Sequence, residues 1–355
     1  MKKIIFAIAT TFISANMLAQ TKDTILFDGE KHFKNMQQLT FGGDNAECYF
    51  GFDNKHVVFQ QTNAKNGVEC DQIFYGTVPI RMGKPFKTKM VSTGDGRTTC
   101  SYLMPDGKHF LYASTHLGSK ACPAVASREV WKKYVWSIYP DYEIFEATTK
   151  GKITKQLTNS PGYDAEAVVS PKGDKILFCS MRNGDLDLYT MHLDGSNVKQ
   201  ITNSLGYDGG AWFSPDGSKI VWRASRPKTQ AEIAEYKMLL DTGLVMPTNM
   251  EIFVANADGS DAKQITNLGQ ANWAPNFTPD GKKIIFASNH EHKRGFPFNL
   301  YLINLDGTGL EKISRDGGFD AFPAFSPDGK KFIFSSNRNN KGTRDTNVFM
   351  CDWVE

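Results

Sequence analysis

The chain has no long hydrophobic run beyond its first twenty residues and no strong excess of charge. The apolar run from Ile4 to Ile13 is shorter than the roughly 18 residues that a membrane-spanning helix needs, and no later stretch approaches that length. The formal charge of +3 at pH 7 includes Lys2 and Lys3 and becomes +1 without them, since 3 − 2 = 1. No long basic run occurs. These features predict no membrane span and no nucleic-acid partner.

Cysteine is scarce as well. The six cysteines among 355 residues include no C-x-x-C pair, which is the spacing typical of zinc and redox sites. We therefore expect mostly buried thiols. The sequence leaves two alternatives for Cys70 and Cys122, a disulfide or two free thiols, because such a bond forms only if the protein reaches an oxidising compartment.

The first twenty residues are typical of a secretory signal peptide. Two lysines precede the apolar run, and small or polar residues follow it at positions 15–20. We predict cleavage after Ala19 or Gln20, which leaves a mature chain of residues 21–355. No cysteine lies near this point to carry a lipid anchor, so the expected location is periplasmic or secreted.

One phrase recurs along the mature chain. It consists of an apolar residue, a Pro-Asp-Gly turn or a close variant, and an apolar run, which together are typical of a β-hairpin. Five good copies occupy residues 103–114, 169–180, 213–224, 277–288 and 325–336, and a degenerate sixth occupies 51–61. Each copy predicts the first two strands, a and b, of one repeat.

Two further phrases complete the repeat. A strand c is predicted to begin at residues 71, 142, 186, 250, 298 and 346, and a strand d at 89, 155, 199, 263 and 311. A sixth strand d is missing at the C-terminus, but Met36 to Thr40 match its pattern near the N-terminus. The sequence therefore predicts an all-β, six-bladed propeller of four-stranded blades, in which the N-terminal strand completes the last blade.

The Pro-Asp-Gly hairpins, the strands ending in Leu-Tyr or Ile-Phe, and the KQITN strands resemble the WD40-like repeats of the TolB-like propeller family. The resemblance covers residues 22–355. It implies a periplasmic propeller that contacts proteins at the cell envelope, including in transport. TolB carries an α/β domain ahead of its propeller, whereas here the repeats begin almost at the predicted cleavage site, so we expect that domain to be missing.

Function is expected at one end of the propeller. The a–b and c–d turns are uniformly short, whereas the b–c connections carry insertions at 115–141, 225–249 and 289–297. Long loops that gather on one face mark a binding face. Within 225–249, Thr229 and Glu232 match a capping box, which predicts a short amphipathic helix. It could serve as a lid, dock a partner, or simply cover a blade edge.

Two sets of side chains on this face are candidate binding residues. Polar residues at the start of strand a predict a ring at the channel mouth that could hold a cation or the basic end of a peptide, or could cap the local turns instead. The ring comprises Asn45, Asp164, Asp208, Asn272 and Asp320, with Glu47 and Glu166 two residues further along their strands. The 115–141 insertion adds Trp131, Tyr134, Trp136 and Tyr139, which could contact a protein or a glycan, or pack the loop.

Catalytic chemistry is not indicated. No G-x-S-x-G elbow occurs, and no nucleophile, base and orienting group stand together. We therefore expect no catalytic residues and no cofactor, apart from a cation that the channel could bind. His290, His292 and His116 are weak candidates for metal ligands of the kind that a metal-dependent polysaccharide lyase would use. The favoured interpretation is a monomeric scaffold for an envelope protein or peptide, with a glycan-binding module or a lyase-like enzyme as alternatives.

Overall fold

The computed structural model describes residues 25–79, 83–292, 295 and 297–355 of the 355-residue chain. The predicted signal peptide lies outside these residues. Within them, the strands form six four-stranded antiparallel sheets and one two-stranded sheet. The first strand of each four-stranded sheet packs against the first strands of its two neighbours, which closes a ring. The fold is therefore the predicted six-bladed propeller, with strand a innermost.

The blades follow one another along the chain. Strands a to d are Asp44–Phe50, His56–Asn63, Val68–Thr77 and Lys87–Met90 in blade 1; Thr98–Leu103, His109–Ser114, Glu143–Thr148 and Ile153–Gln156 in blade 2; Asp164–Val169, Lys175–Ser180, Asp187–His192 and Lys199–Gln200 in blade 3; Asp208–Phe213, Lys219–Ser225, Met250–Asn256 and Lys263–Gln264 in blade 4; and Asn272–Phe277, Lys283–Ser288, Asn299–Asn304 and Glu311–Lys312 in blade 5. Blade 6 has Asp320–Phe325, Lys331–Ser336 and Asn347–Trp353, and its outer strand is Phe33–Gln38.

The N-terminal strand closes the ring, as the sequence predicts. It pairs antiparallel with strand c of blade 6, from Phe33 opposite Trp353 to Gln38 opposite Phe349. The strand begins three residues earlier than the predicted Met36, because Phe33 is buried and stacks on Phe332 with 5.5 Å between ring centroids. The chain is thus fastened to itself by main-chain hydrogen bonds and by an aromatic core.

Aromatic side chains on strand b fill the spaces between blades. The fourth residue of strand b is aromatic in every blade, and none of these six side chains exposes more than 1% of its surface. They are Phe59, Tyr112, Phe178, Trp222, Phe286 and Phe334. Burying one such side chain stabilises the fold by about 1.5–3 kcal/mol, so the repeat supplies each blade interface with a similar anchor.

The remaining elements lie in the insertions and one hairpin. They are helix α1 (Arg128–Trp131), helix α2 (Gln230–Asp241), the short strands Trp136–Ser137 and Leu244–Val245, and a 3₁₀ turn at Ala64–Asn66. Helix α2 has the predicted capping box between Thr229 and Glu232. No helix in the described ranges is long and apolar enough to cross a membrane.

Candidate ligand-binding cavity

The polar residues predicted to ring the channel mouth are buried inside their own blades. None of these five side chains exposes surface to solvent: Asn45, Asp164, Asp208, Asn272 and Asp320. Each lies at or near the start of strand a, opposite the end of strand b. Their contact with a partner therefore stays a prediction. In the structure the three aspartates bond within their own blades, whereas the side-chain amides of Asn45 and Asn272 donate to main-chain carbonyls of Thr346 and Met250, next to or in the preceding blade.

An arginine of the same blade neutralises each aspartate in this set. The arginine lies two residues after the strand-b residue that pairs with the aspartate, so the geometry repeats from blade to blade. The pairs are Asp164–Arg182, Asp208–Arg226 and Asp320–Arg338, with nitrogen to oxygen distances of 3.0, 2.6 and 3.0 Å. Each buried aspartate requires a paired charge. Because the paired arginine belongs to the b–c connection, the ion pair also holds that connection against strand a.

Histidine replaces arginine in blades 2 and 5, where strand a begins with the uncharged residues Thr98 and Asn272. His116 and His290 occupy the same position in blades 2 and 5, and each Nδ1 lies 2.9 Å from the serine hydroxyl two residues before it. Burial lowers the pKa of both imidazoles. Among the described residues, no group of three or more His, Cys, Asp or Glu side chains could hold a metal ion, so His116, His290 and His292 do not converge on one site.

A bulge in strand a turns one residue of every blade toward the propeller axis. The register between strands a and b shifts in all six blades, and the residue at the shift has φ between 46° and 60°. These six residues surround a narrow cavity of about 30 Å³ on the axis. They are Glu47, Cys100, Glu166, Gly210, Ala274 and Phe322, which we call the axial ring.

Glu166 of the axial ring is held by a dense network. It accepts a hydrogen bond from the Tyr207 hydroxyl at 2.5 Å and from Nη2 of Arg223 at 3.0 Å. Arg223 also donates to the Tyr207 hydroxyl at 2.7 Å and lies 5.3 Å from the ring centre of Trp136. An arginine shared by a carboxylate and aromatic faces is fixed in position, so it forms a rigid part of the wall.

Two glycines make room for this network. A methyl group on Gly210 would overlap the guanidinium of Arg223, and one on Gly209 would overlap Tyr207 and Glu166. Gly210 also has φ +59°, which glycine adopts without strain. Our sequence analysis missed Arg223 and Tyr207. The signal that could have found them is the Gly-Gly pair inside strand a, since a glycine in a strand often marks a close approach of another group.

The insertions of blades 2 and 4 join to form a lid over the axial ring. Trp136–Ser137 and Leu244–Val245 pair as an antiparallel two-stranded sheet. The Ile138 amide donates to the Gly243 carbonyl at 2.7 Å, and Lys133 forms an ion pair with Glu235 of helix α2. The two insertions were predicted separately, and no motif in either one indicates that they pair with each other.

Between the lid and the axial ring lies a cavity of about 470 Å³. Its charged lining residues are Glu47, Asp71, Arg97, Glu166 and Arg223. Its wall is rich in aromatic rings: Tyr134, Trp136, Tyr139, Tyr142, Tyr163, Tyr207, Trp273, Phe319 and Phe322. Three of the four predicted loop aromatics thus line the cavity. The fourth, Trp131, instead packs against the small core of the lid that contains Val135 and Leu239.

A disulfide fastens the lid to blade 1. Cys70 and Cys122 are bonded, with 5.7 Å between their Cα atoms, which resolves the question that the sequence left open. Cys70 belongs to strand c of blade 1 rather than to the preceding loop. The next residue, Asp71, forms an ion pair with Arg97 at the cavity wall. The lid is therefore held by a covalent bond on one side and by strand pairing on the other.

The opposite end of the channel has a different character. A pocket of about 300 Å³ lies there, lined by aromatic rings and by prolines of the a–b turns, such as Trp212 and Pro215. None of its lining residues is charged. Of these two openings, only the one at the lidded end combines charged and aromatic side chains.

Comparisons with known proteins agree with this fold. Residues 245–344 match the family model described as the TolB beta propeller domain, and a search of curated proteins finds no match. The fold is similar to that of a protein assigned as TolB from Agrobacterium tumefaciens, with a TM-score of 0.53 and 18% identity over 88% of this chain and 91% of that one.

Two further solved structures share the propeller. TolB from Acinetobacter baumannii has a TM-score of 0.55 and 18% identity over 86% of this chain, which spans only 65% of that protein. An oligogalacturonate lyase in complex with manganese has a TM-score of 0.50 and 13% identity over 90% of this chain and 93% of that one. At such identities the structural likeness concerns the fold alone. The chain is therefore a six-bladed β-propeller, and its residues 245–344 are similar to the TolB beta propeller domain.

Proposed function

We propose that this protein is a periplasmic or secreted scaffold that binds a peptide segment of an envelope protein in the cavity beneath the lid. The observation that carries the proposal is the cavity itself, in which aromatic rings and charged groups face one another at the end of the propeller that bears the insertions. Ligand sites in proteins combine an apolar wall with a few polar groups in this way. A volume of about 470 Å³ suits a few side chains rather than a folded domain.

The proposed location draws on two further features. The N-terminal residues are typical of a secretory signal peptide. The Cys70–Cys122 disulfide is of the kind that persists in oxidising compartments. Both support a role outside the cytoplasm. The resemblance to TolB-like propellers implies the same location.

Within the proposal the predicted residues take different roles. Glu47 and Glu166, with Tyr134, Trp136 and Tyr139, would contact the ligand because they line the cavity. The buried residues at the start of strand a, exemplified by Asp164 with its Arg182 partner, would act by holding the b–c connections in place. A single chain carries all of these groups, so the proposed binding requires no second copy.

The proposal can be tested by selecting binders from a displayed random-peptide library on the mature protein. Trp136→Ala should weaken the selected peptides about tenfold or more, because a central aromatic contact contributes on the order of 2 kcal/mol to binding. Val198→Ala is the matched control, since Val198 is 40% exposed and lies on a c–d turn at the other end. Equal binding by both variants would show that the cavity is not the peptide site.

A neutral glycan is the second candidate ligand. Trp136 and Trp273 lie with their ring centres 5.2 Å apart, and Tyr134 is 6.3 Å from Trp273 and 43% exposed. Such an aromatic cluster could stack on sugar rings. A glycan array probed with the wild-type protein and with Trp136→Ala separates this candidate from the peptide. The lyase-like alternative has support only from the fold shared with the manganese-containing lyase.

A further inference from the structure

The charges that line the cavity do not balance. Three carboxylates face two guanidinium groups, and each guanidinium is already paired. Arg97 forms an ion pair with Asp71, and Arg223 lies 3.0 Å from Glu166. Glu47 is left over, and among the described residues no lysine, arginine or histidine nitrogen lies within 4 Å of its carboxylate.

Glu47 lies in the axial ring at the floor of the cavity. Cys100 of the next blade and Phe322 of the preceding blade line the same floor. Burial raises the pKa of Glu47 to about 7, the negative charge of Glu166 acts in the same direction, and the positive charge of Arg223 acts against it without forming an ion pair. A buried carboxyl group without an ion-pair partner loses its proton more readily when a cation lies beside it, so binding of a cation and ionisation of Glu47 favour each other.

The rings around Glu47 suit a cation as well. Arg223 already covers the faces of Trp136 and Tyr207, each at 5.3 Å. This contact shows that the wall accepts a guanidinium against its rings. Other rings on the wall, such as Tyr139, Tyr163 and Phe322, make no contact of this kind with any described lysine or arginine. Cations bind to aromatic faces most strongly where water is excluded.

We propose that the cavity binds the positively charged group of its ligand, an ammonium or a guanidinium, with Glu47 as the counter-ion and the aromatic wall around it. The inference rests on the proposed function, since it names the chemical group that the bound peptide would insert. It also argues against an acidic sugar, because a uronate carboxylate would meet an unpaired carboxylate at the floor of the cavity.

The test compares capped single-residue probes by isothermal titration calorimetry on the mature protein. The probes are N-acetyl-lysine methylamide, N-acetyl-arginine methylamide, the uncharged isostere N-acetyl-norleucine methylamide, putrescine and galacturonate. The lysine or arginine probe should bind roughly 10- to 100-fold more tightly than the norleucine probe, which is the range expected for hydrogen bonds to a charged group. Tighter binding of putrescine than of both amino-acid probes would identify a free amine as the source of the cation.

Glu47→Gln is the decisive variant, because the amide keeps the shape of the side chain and removes its charge. It should abolish most of the preference for the cationic probes and leave the norleucine probe unchanged. Glu129→Gln is the matched control, since Glu129 is exposed on helix α1 of the lid. The lysine to norleucine ratio of the wild-type protein tests the inference even if the Glu47 variant does not fold.

The outcomes separate the two proposals. Equal binding of the lysine and norleucine probes, or tighter binding of galacturonate, overturns the cation site. If library peptides still depend on Trp136 but not on Glu47, the peptide scaffold stands and the cation site falls. If the peptides depend on neither residue, both proposals fall.

Discussion

The closure of the ring depends on a buried group of charges at the seam between the two ends of the chain. Arg338 is 3% exposed, and its guanidinium donates to Glu30 Oε1 and to Asp320 Oδ2, each at 3.0 Å. Glu30 belongs to the N-terminal segment, so this arginine joins the start of the chain to blade 6. It also donates at 3.0 Å to the carbonyl of Ile25. We predict that Arg338→Met opens this seam first.

The expected loss follows from the burial of the three side chains. Arg338→Met leaves two buried carboxylates without a cation, and removing one partner of a buried ion pair costs about 3–5 kcal/mol. With an m-value of about 3 kcal/mol per molar urea, the unfolding midpoint should fall by roughly 1–1.7 M. Adding Glu30→Gln and Asp320→Asn to Arg338→Met should recover part of the loss, because no unpaired charge then remains.

Urea unfolding followed by tryptophan fluorescence is a suitable assay, because Trp353 lies beside Phe33 at the seam, with 6.3 Å between ring centroids. Arg344→Met is the control. Arg344 is exposed and forms no ion pair with the described residues, so its loss should change stability by less than about 0.5 kcal/mol. If Arg338→Met and Arg344→Met unfold at the same urea concentration, the charge group does not hold the ring closed.

Two further predictions concern the axial ring. Gly210→Ala should destabilise the fold by about 1–3 kcal/mol, because the residue has positive φ and the added methyl would displace Arg223. The equivalent Ala274→Gly should not be destabilising, since Ala274 has φ +47°, and thermal unfolding of both variants measures the difference. The raised pKa of Glu47 means that the folded protein holds a proton that the unfolded chain releases, so this group's stabilisation is lost as pH rises from about 4.5 through 7. Melting temperatures from pH 5 to 8 should therefore fall less in Glu47→Gln than in the wild type, and parallel curves would contradict this account.

The repeat made the fold predictable from the sequence. The hairpin turns, the KQITN strands and the displaced Met36 segment each stand at fixed spacing, so counting them gives the number of blades and the place of closure. The exact start of the closing strand could not be read in this way, because Phe33 belongs to it through packing against Phe332 rather than through the repeat. Local spacing thus defines the blades, whereas side-chain packing sets where each strand begins.

The site was harder to predict, because it depends on which way side chains turn. The polar residues at the start of strand a are visible in the sequence. The arginines that pair with its aspartates, such as Arg182, are distant in sequence and belong to the connection after strand b. The bulge that aims Glu47 and Glu166 at the axis leaves no signature that holds in all six blades. Only the Gly209–Gly210 pair signals that another group occupies the space there.

The blades provide an internal standard for finding function in this chain. Equivalent core positions of the six blades carry the same kind of residue in the same surroundings, as the aromatic side chains of strand b show. The departures from this standard are a glutamate in the axial ring without a counter-ion, a glycine pair that admits Arg223, and two insertions that pair with each other. Packing alone would not require these departures to gather in one place. Glu47, Arg223 and the paired strand Trp136–Ser137 all border one cavity, and this convergence is the main support for the ligand binding proposed at the lidded end.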